Sequence, residues 1–104
     1  MNSIQGKYLD NLRCEMTHPS STTLLTDAPK DNRGEGKFYS PTDLLAAGLG
    51  SCMLTIIGIR ARDKGIHIGK PTFEISKHMQ SDPRKISKIE VDIFFNEAIE
   101  PYDL

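Results

Sequence analysis

The chain has 104 residues, with 13 Lys or Arg against 14 Asp or Glu and a net charge of −1. That length suits one small domain, 1–104, with no room for a second core. The balanced charge gives no general pull toward nucleic acid or a membrane surface. No basic stripe with interleaved aromatics occurs either, so no nucleic-acid partner is expected.

The two cysteines, Cys14 and Cys52, are too few and too far apart for a disulfide framework. Met1-Asn-Ser-Ile-Gln-Gly has no basic-then-apolar opening, so the expectation is a cytoplasmic protein with reduced thiols. His18, His67 and His78 show no ligand spacing with the cysteines, and no metal or cofactor is expected.

The N-terminal third reads as short strands. Gly6-Lys-Tyr-Leu9 precedes an Asp10-Asn11 turn. Leu12, Cys14 and Met16 then alternate with Arg13, Glu15 and Thr17, the period of a half-buried strand. His18-Pro19-Ser20-Ser21 supplies a turn, and Thr22 to Thr26 returns as another strand. Residues 27–39 form a polar stretch containing Gly34-Glu-Gly-Lys37. A phosphate loop would need a preceding strand, wider glycine spacing and Ser or Thr after the lysine, so this segment reads as a mobile linker.

A helix is predicted from about Pro41 to Lys64. Ser40 caps it, Pro41 fits its first turn, and Asp43 stands three residues after the cap. Gly65 ends it, with Arg60, Arg62 and Lys64 at the negative end of the dipole. Between Leu44 and Ile59 no residue is charged, so no face reads as solvent-facing and other elements should wrap the helix and Cys52 with it. The uncharged run would rise about 24 Å, short of the roughly 30 Å hydrocarbon core, so it reads as a buried core helix with no membrane partner.

Pro71 to Met79 and Ile86 to Phe95 read as paired strands joined by a turn at Ser81-Asp82-Pro83-Arg84. In the second, Ile89, Val91, Ile93 and Phe95 share one face and Lys88, Glu90 and Asp92 the other. The apolar face should cover the Cys52 helix, which defines an α+β fold with antiparallel sheets packed on a long central helix. Asn96 to Leu104 reads as the approach to a further helix.

Ser40-Pro-Thr-Asp-Leu-Leu-Ala-Ala-Gly-Leu-Gly-Ser-Cys52-Met resembles the signature of the OsmC/Ohr family, the osmotically inducible and organic hydroperoxide resistance proteins. The order of strands, loop, helix and hairpin agrees with that resemblance over nearly the whole chain. It implies an intertwined homodimer with a thiol site at the interface. It also implies a peroxidatic role for Cys52 on small hydrophobic hydroperoxides, with an external thiol or dithiol as reductant. A resolving cysteine on a later helix has no counterpart in this sequence. The carboxylate that peroxidase members carry ten residues before the cysteine falls on Thr42, with Asp43 one place later.

The residues themselves set conditions on that chemistry. Cys52 lies deep in the helix, beyond reach of the N-terminal dipole, so activation needs a cation from another strand or subunit. Arg13 is the candidate cation, although its strand places it opposite Cys14 and a surface ion pair near Glu15 is the plainer expectation. Asp43 is about half a turn round the barrel and roughly 13 Å along the axis from Cys52, so it caps the helix. Cys14 reads as core packing, and as a resolving thiol only if a dimer brings it beside Cys52. Two functions follow: thiol-dependent hydroperoxide reduction through Cys52, or a non-catalytic dimeric domain that binds a small apolar ligand or keeps a vestigial site.

Overall fold

The computed structural model describes residues 2–97. The chain divides into two compact units, Met1–Leu44 and Leu45–Leu104.

The first unit is a three-stranded antiparallel meander of β1 (Gln5–Asp10), β2 (Arg13–Thr17) and β3 (Thr23–Asp27). Asp10, Asn11 and Leu12 turn the chain between β1 and β2, all with positive φ. Asp and Asn tolerate that region; Leu does not, so Leu12 must be held there. Its N–H donates to the Tyr8 phenolic oxygen at 3.1 Å, and its carbonyl accepts from the Ala28 N–H at 3.1 Å. Leu12, expected inside a strand, therefore belongs to the turn.

The stretch after β3 is no bare linker. The Asp27 N–H donates to the Tyr39 carbonyl, and Thr26 and Tyr39 form a parallel bridge. A short 3-10 turn spans Lys30–Asn32. The Gly36 N–H then reaches back to the Ala28 carbonyl at 3.1 Å. Gly34 lies so close to Ala28 that a β-carbon there would fall 1.7 Å from the Ala28 carbonyl oxygen. Its glycine serves the close approach of two backbone segments rather than a phosphate.

Helix α1 (Pro41–Asp63) begins as the sequence predicts. The Asp43 N–H donates to Ser40 Oγ at 3.0 Å, and Asp43 Oδ2 accepts from the Ser40 N–H at 3.0 Å, a reciprocal cap. Past its end Gly65 adopts φ 68°, and the Ile66 N–H closes onto the Ala61 carbonyl.

In the second unit, β4 (Thr72–Gln80) and β5 (Lys85–Phe94) pair antiparallel through the turn at Ser81–Arg84. Phe73, Ile75 and Met79 with Ile86, Ile89, Val91 and Ile93 fill the half-buried face, as the period-two pattern requires. Glu74, Ser76, His78, Lys88, Glu90 and Asp92 face solvent. Gly50 of the helix seats on that apolar face, where an added β-carbon would lie 2.7 Å from both Ile75 and Phe73. The architecture is α+β, one helix packed against antiparallel sheet. The expectation of a helix approach over Asn96–Leu104 falls mostly on residues 98–104, outside the described residues.

Candidate functional site

The helix packs one side and leaves the other open, with Met53, Leu54 and Ile57 half-buried on the packed side. Ala46, Gly50 and Ala61 are its buried positions, and they share one face. Leu45, Leu49, Ile56 and Ile59 are exposed at 65%, 43%, 58% and 56%. Cys52 stands among them and is itself exposed. This corrects the expectation that other elements of the chain wrap the helix on every side. Gly50 lets the helix come close to the Phe73–Ile75 surface, Met53, Leu54 and Ile57 lie half-buried on the same side, and the side that carries Leu45, Leu49, Ile56 and Ile59 is turned away from it.

Among the described residues no hydrogen bond or ion pair reaches the Cys52 thiol. Asp43 has the capping role read from its position. The helix has a mean hydropathy of 1.7 over its most apolar window and is long enough to cross a membrane by length and composition.

Arg13 lies in the first unit, in surroundings the sequence did not suggest. Its Nε is 3.5 Å from Asp27 Oδ2 and its Nη2 is 3.2 Å from Glu35 Oε1. Its guanidinium carbon sits 5.5 Å from the centre of the Phe38 ring, within cation–π range. Asp27 is fully buried and its Oδ2 also accepts the Lys37 N–H at 3.0 Å. The Arg13–carboxylate distances exceed those of aligned charged hydrogen bonds, which run about 2.7–2.9 Å. Arg13 Nε and Nη2 and Asp27 Oδ1 accordingly lack a hydrogen-bond partner, so the cluster is an ion contact rather than a bidentate fork. Glu35 accepts from Asn11 Nδ2 at 2.8 Å and is flanked by two cations, Arg13 and Lys37, the latter with Nζ at 3.3 Å. The Asn11 hydrogen bond, then Lys37 and Arg13, hold its carboxyl below the usual carboxylate range.

Asp27, Glu35 and Phe38 were missed in sequence. One signal could have found Asp27: pairing the strands outward from the His18–Ser21 turn places Arg13 directly opposite it, as the observed register does. Glu35 and Phe38 lie in an irregular loop, where no periodicity marks a face.

Cys14 is half-buried on β2 and lines an open, mainly apolar recess of ≈ 260 Å³ with Tyr8, Leu12, Thr26, Ala28 and Pro29. The histidines pair locally. His18 Nδ1 meets Ser20 Oγ at 2.8 Å, His78 Nε2 meets Glu90 Oε1 at 2.6 Å, and His67 Nε2 lies 3.3 Å from Glu97. No His, Cys, Asp and Glu group able to hold a metal ion occurs among the described residues.

Comparison with known proteins places this geometry. The family model described as OsmC-like protein matches residues 34–102, well over half of the chain. The chain belongs to the OsmC-like family. Among solved structures it is similar to a crystal structure from Psychrobacter arcticus 273-4, described as an osmotic stress induced and detoxification response protein. The two are 45% identical with a TM-score of 0.93, over 99% of this chain and 76% of that one. A search of the curated proteins found no match.

Proposed function

We propose that this protein reduces small hydrophobic hydroperoxides through Cys52, as a cytoplasmic homodimer. The observation that carries the reading is an accessible thiol set among Leu45, Leu49, Ile56 and Ile59, surroundings that favour an apolar substrate. The family and the detoxification response named for the Psychrobacter arcticus protein are consistent with it.

In the reaction, the Cys52 thiolate attacks the terminal peroxide oxygen and the O–O bond breaks. The departing alkoxide takes a proton and leaves as the alcohol, while Cys52 becomes a sulfenic acid. One external thiol condenses with it and releases water, and a second frees the Cys52 thiol and leaves as disulfide. Arg13, brought by the second subunit, is the cation we assign to the thiolate.

The test is steady-state consumption of cumene hydroperoxide with a dithiol, comparing the protein with Cys52→Ser. Loss of turnover in the variant is expected, and equal rates would sink the enzymatic reading. The recess beside Cys14 favours a second reading, in which a dimeric domain binds a small apolar ligand without chemistry. Saturable binding of such a ligand, undiminished in Cys52→Ser and accompanied by no peroxide consumption, would establish it.

A further inference from the structure

Cys52 stands in the middle of the exposed helix face, and its two flanks differ. Leu45, Leu49 and Ile56 lie on one side of it, within about 60° round the barrel, and all three are exposed. Gly48, Thr55 and Ser51 stand on the other side, at about 40° to 100°, and are exposed as well. The Thr55 hydroxyl donates to the Ser51 carbonyl at 2.8 Å, which holds it down against the helix. Ile59 closes that side only about two turns further on. The thiol therefore has an apolar wall on one hand and low ground on the other.

Gly48 makes the low ground. A β-carbon placed there meets nothing within 4 Å, whereas one at Gly50, on the packed side, runs into Phe73 and Ile75. Packing accounts for Gly50 and does not account for Gly48, although glycine is unfavourable inside a helix. Gly48 is four residues before Cys52, about one turn nearer the N-terminus on the same face. Helical side chains lean toward the N-terminus, over the turn that precedes them. Cys52 thus leans toward a position that carries no side chain.

We propose that Gly48 decides which hydroperoxides reach Cys52, its bare backbone admitting a branched or aryl-bearing carbon next to the peroxide. The inference rests on the proposed reaction at Cys52 and adds a specificity-determining residue and a direction of approach. Attack sets the sulfur, the terminal oxygen and the departing oxygen nearly in line. The alkyl group is then carried away from the sulfur and over the preceding turn. There Gly48 leaves room, and Leu45 and Leu49 offer apolar contact. A side chain at position 48 would close that ground to a bulky substituent before a slender one.

The test places Gly48→Ala and Gly48→Leu in the full chain, with Gly58→Leu as control. Gly58 also has open space for a β-carbon, but it lies six residues on and about 120° round the helix from Cys52. The readout is the ratio of kcat/KM for cumene hydroperoxide to that for hydrogen peroxide. Gly48→Leu should lower the ratio by about tenfold or more and Gly48→Ala by less, with Gly58→Leu leaving it as it is. An unchanged ratio in Gly48→Leu, or an equal fall in Gly58→Leu, would overturn the proposal. Alkylation reads the same access without turnover, in a Cys14→Ser background that leaves Cys52 as the remaining thiol. Gly48→Leu should slow a pyrenyl maleimide far more than iodoacetamide, since a change in thiol pKa would move both reagents together. Equal slowing of the two, or none, would also overturn it. If the unaltered protein consumes no peroxide, the functional reading fails, and the alkylation ratio still decides whether position 48 controls access to the thiol.

Discussion

Arg13 on β2 faces Asp27 on β3 across the sheet, with Nε 3.5 Å from a carboxylate that has no solvent exposure. A buried charge left without its partner is costly, so the pair matters more for what its removal leaves than for its own attraction. Asp27→Ala should destabilise the chain by about 3 kcal/mol, the range seen when one member of a buried pair is removed. Denaturant unfolding measures it, and a change below about 1 kcal/mol would show that Glu35 alone suffices for Arg13.

Glu35 gives the same cluster a pH dependence with a definite sign. The Asn11 hydrogen bond, then Lys37 and Arg13, hold its folded-state carboxyl below its ordinary value. Its contribution is therefore fully present above the ordinary carboxylate value and is lost as pH falls through the lower folded value. Melting temperatures of the protein and Glu35→Gln should differ at neutral pH and converge in acid. Parallel curves at every pH would contradict this.

Gly50 and Gly58 lie on one helix and should respond in opposite directions. A β-carbon at Gly50 meets Ile75 and Phe73 at 2.7 Å, whereas one at Gly58 meets nothing within 4 Å. Gly50→Ala should cost about 1–3 kcal/mol through overpacking. Gly58→Ala should stabilise by up to about 1 kcal/mol, the helix-propensity difference between the two residues. Thermal melts of the two variants check the pair, and equal shifts would refute the packing account.

The Ser40–Asp43 cap closes both ways at 3.0 Å. Ser40→Ala should lose about 1 kcal/mol, while Ser40→Asn, another good cap, should keep most of it. Equal losses in both would place the role of Ser40 elsewhere.

Much of this fold was legible in sequence because its signals are local. The Ser40–Asp43 spacing announced the helix start, Gly65 its end, and alternation in Ile89, Val91 and Ile93 the apolar sheet face. The Cys52 motif was equally legible, and it identified the family. Local signals failed at Leu12, whose hydrophobicity suited a strand but whose backbone is held in a turn by Tyr8 and Ala28. They failed again at Glu35 and Phe38, which reach Arg13 only because an irregular loop folds back.

The sequence by itself determined the helix, the hairpin, the strand meander and the thiol at the middle of an uncharged run. Each depends on neighbours a few residues away. Only the tertiary structure decided which side of that helix is buried. Every side chain from Leu44 to Ile59 is uncharged, so hydropathy could not choose a face. Packing against the β4–β5 hairpin chose it: Gly50 meets Phe73 and Ile75 on the side of Ala46 and Ala61, and Leu45, Leu49, Cys52, Ile56 and Ile59 are left turned to the outside.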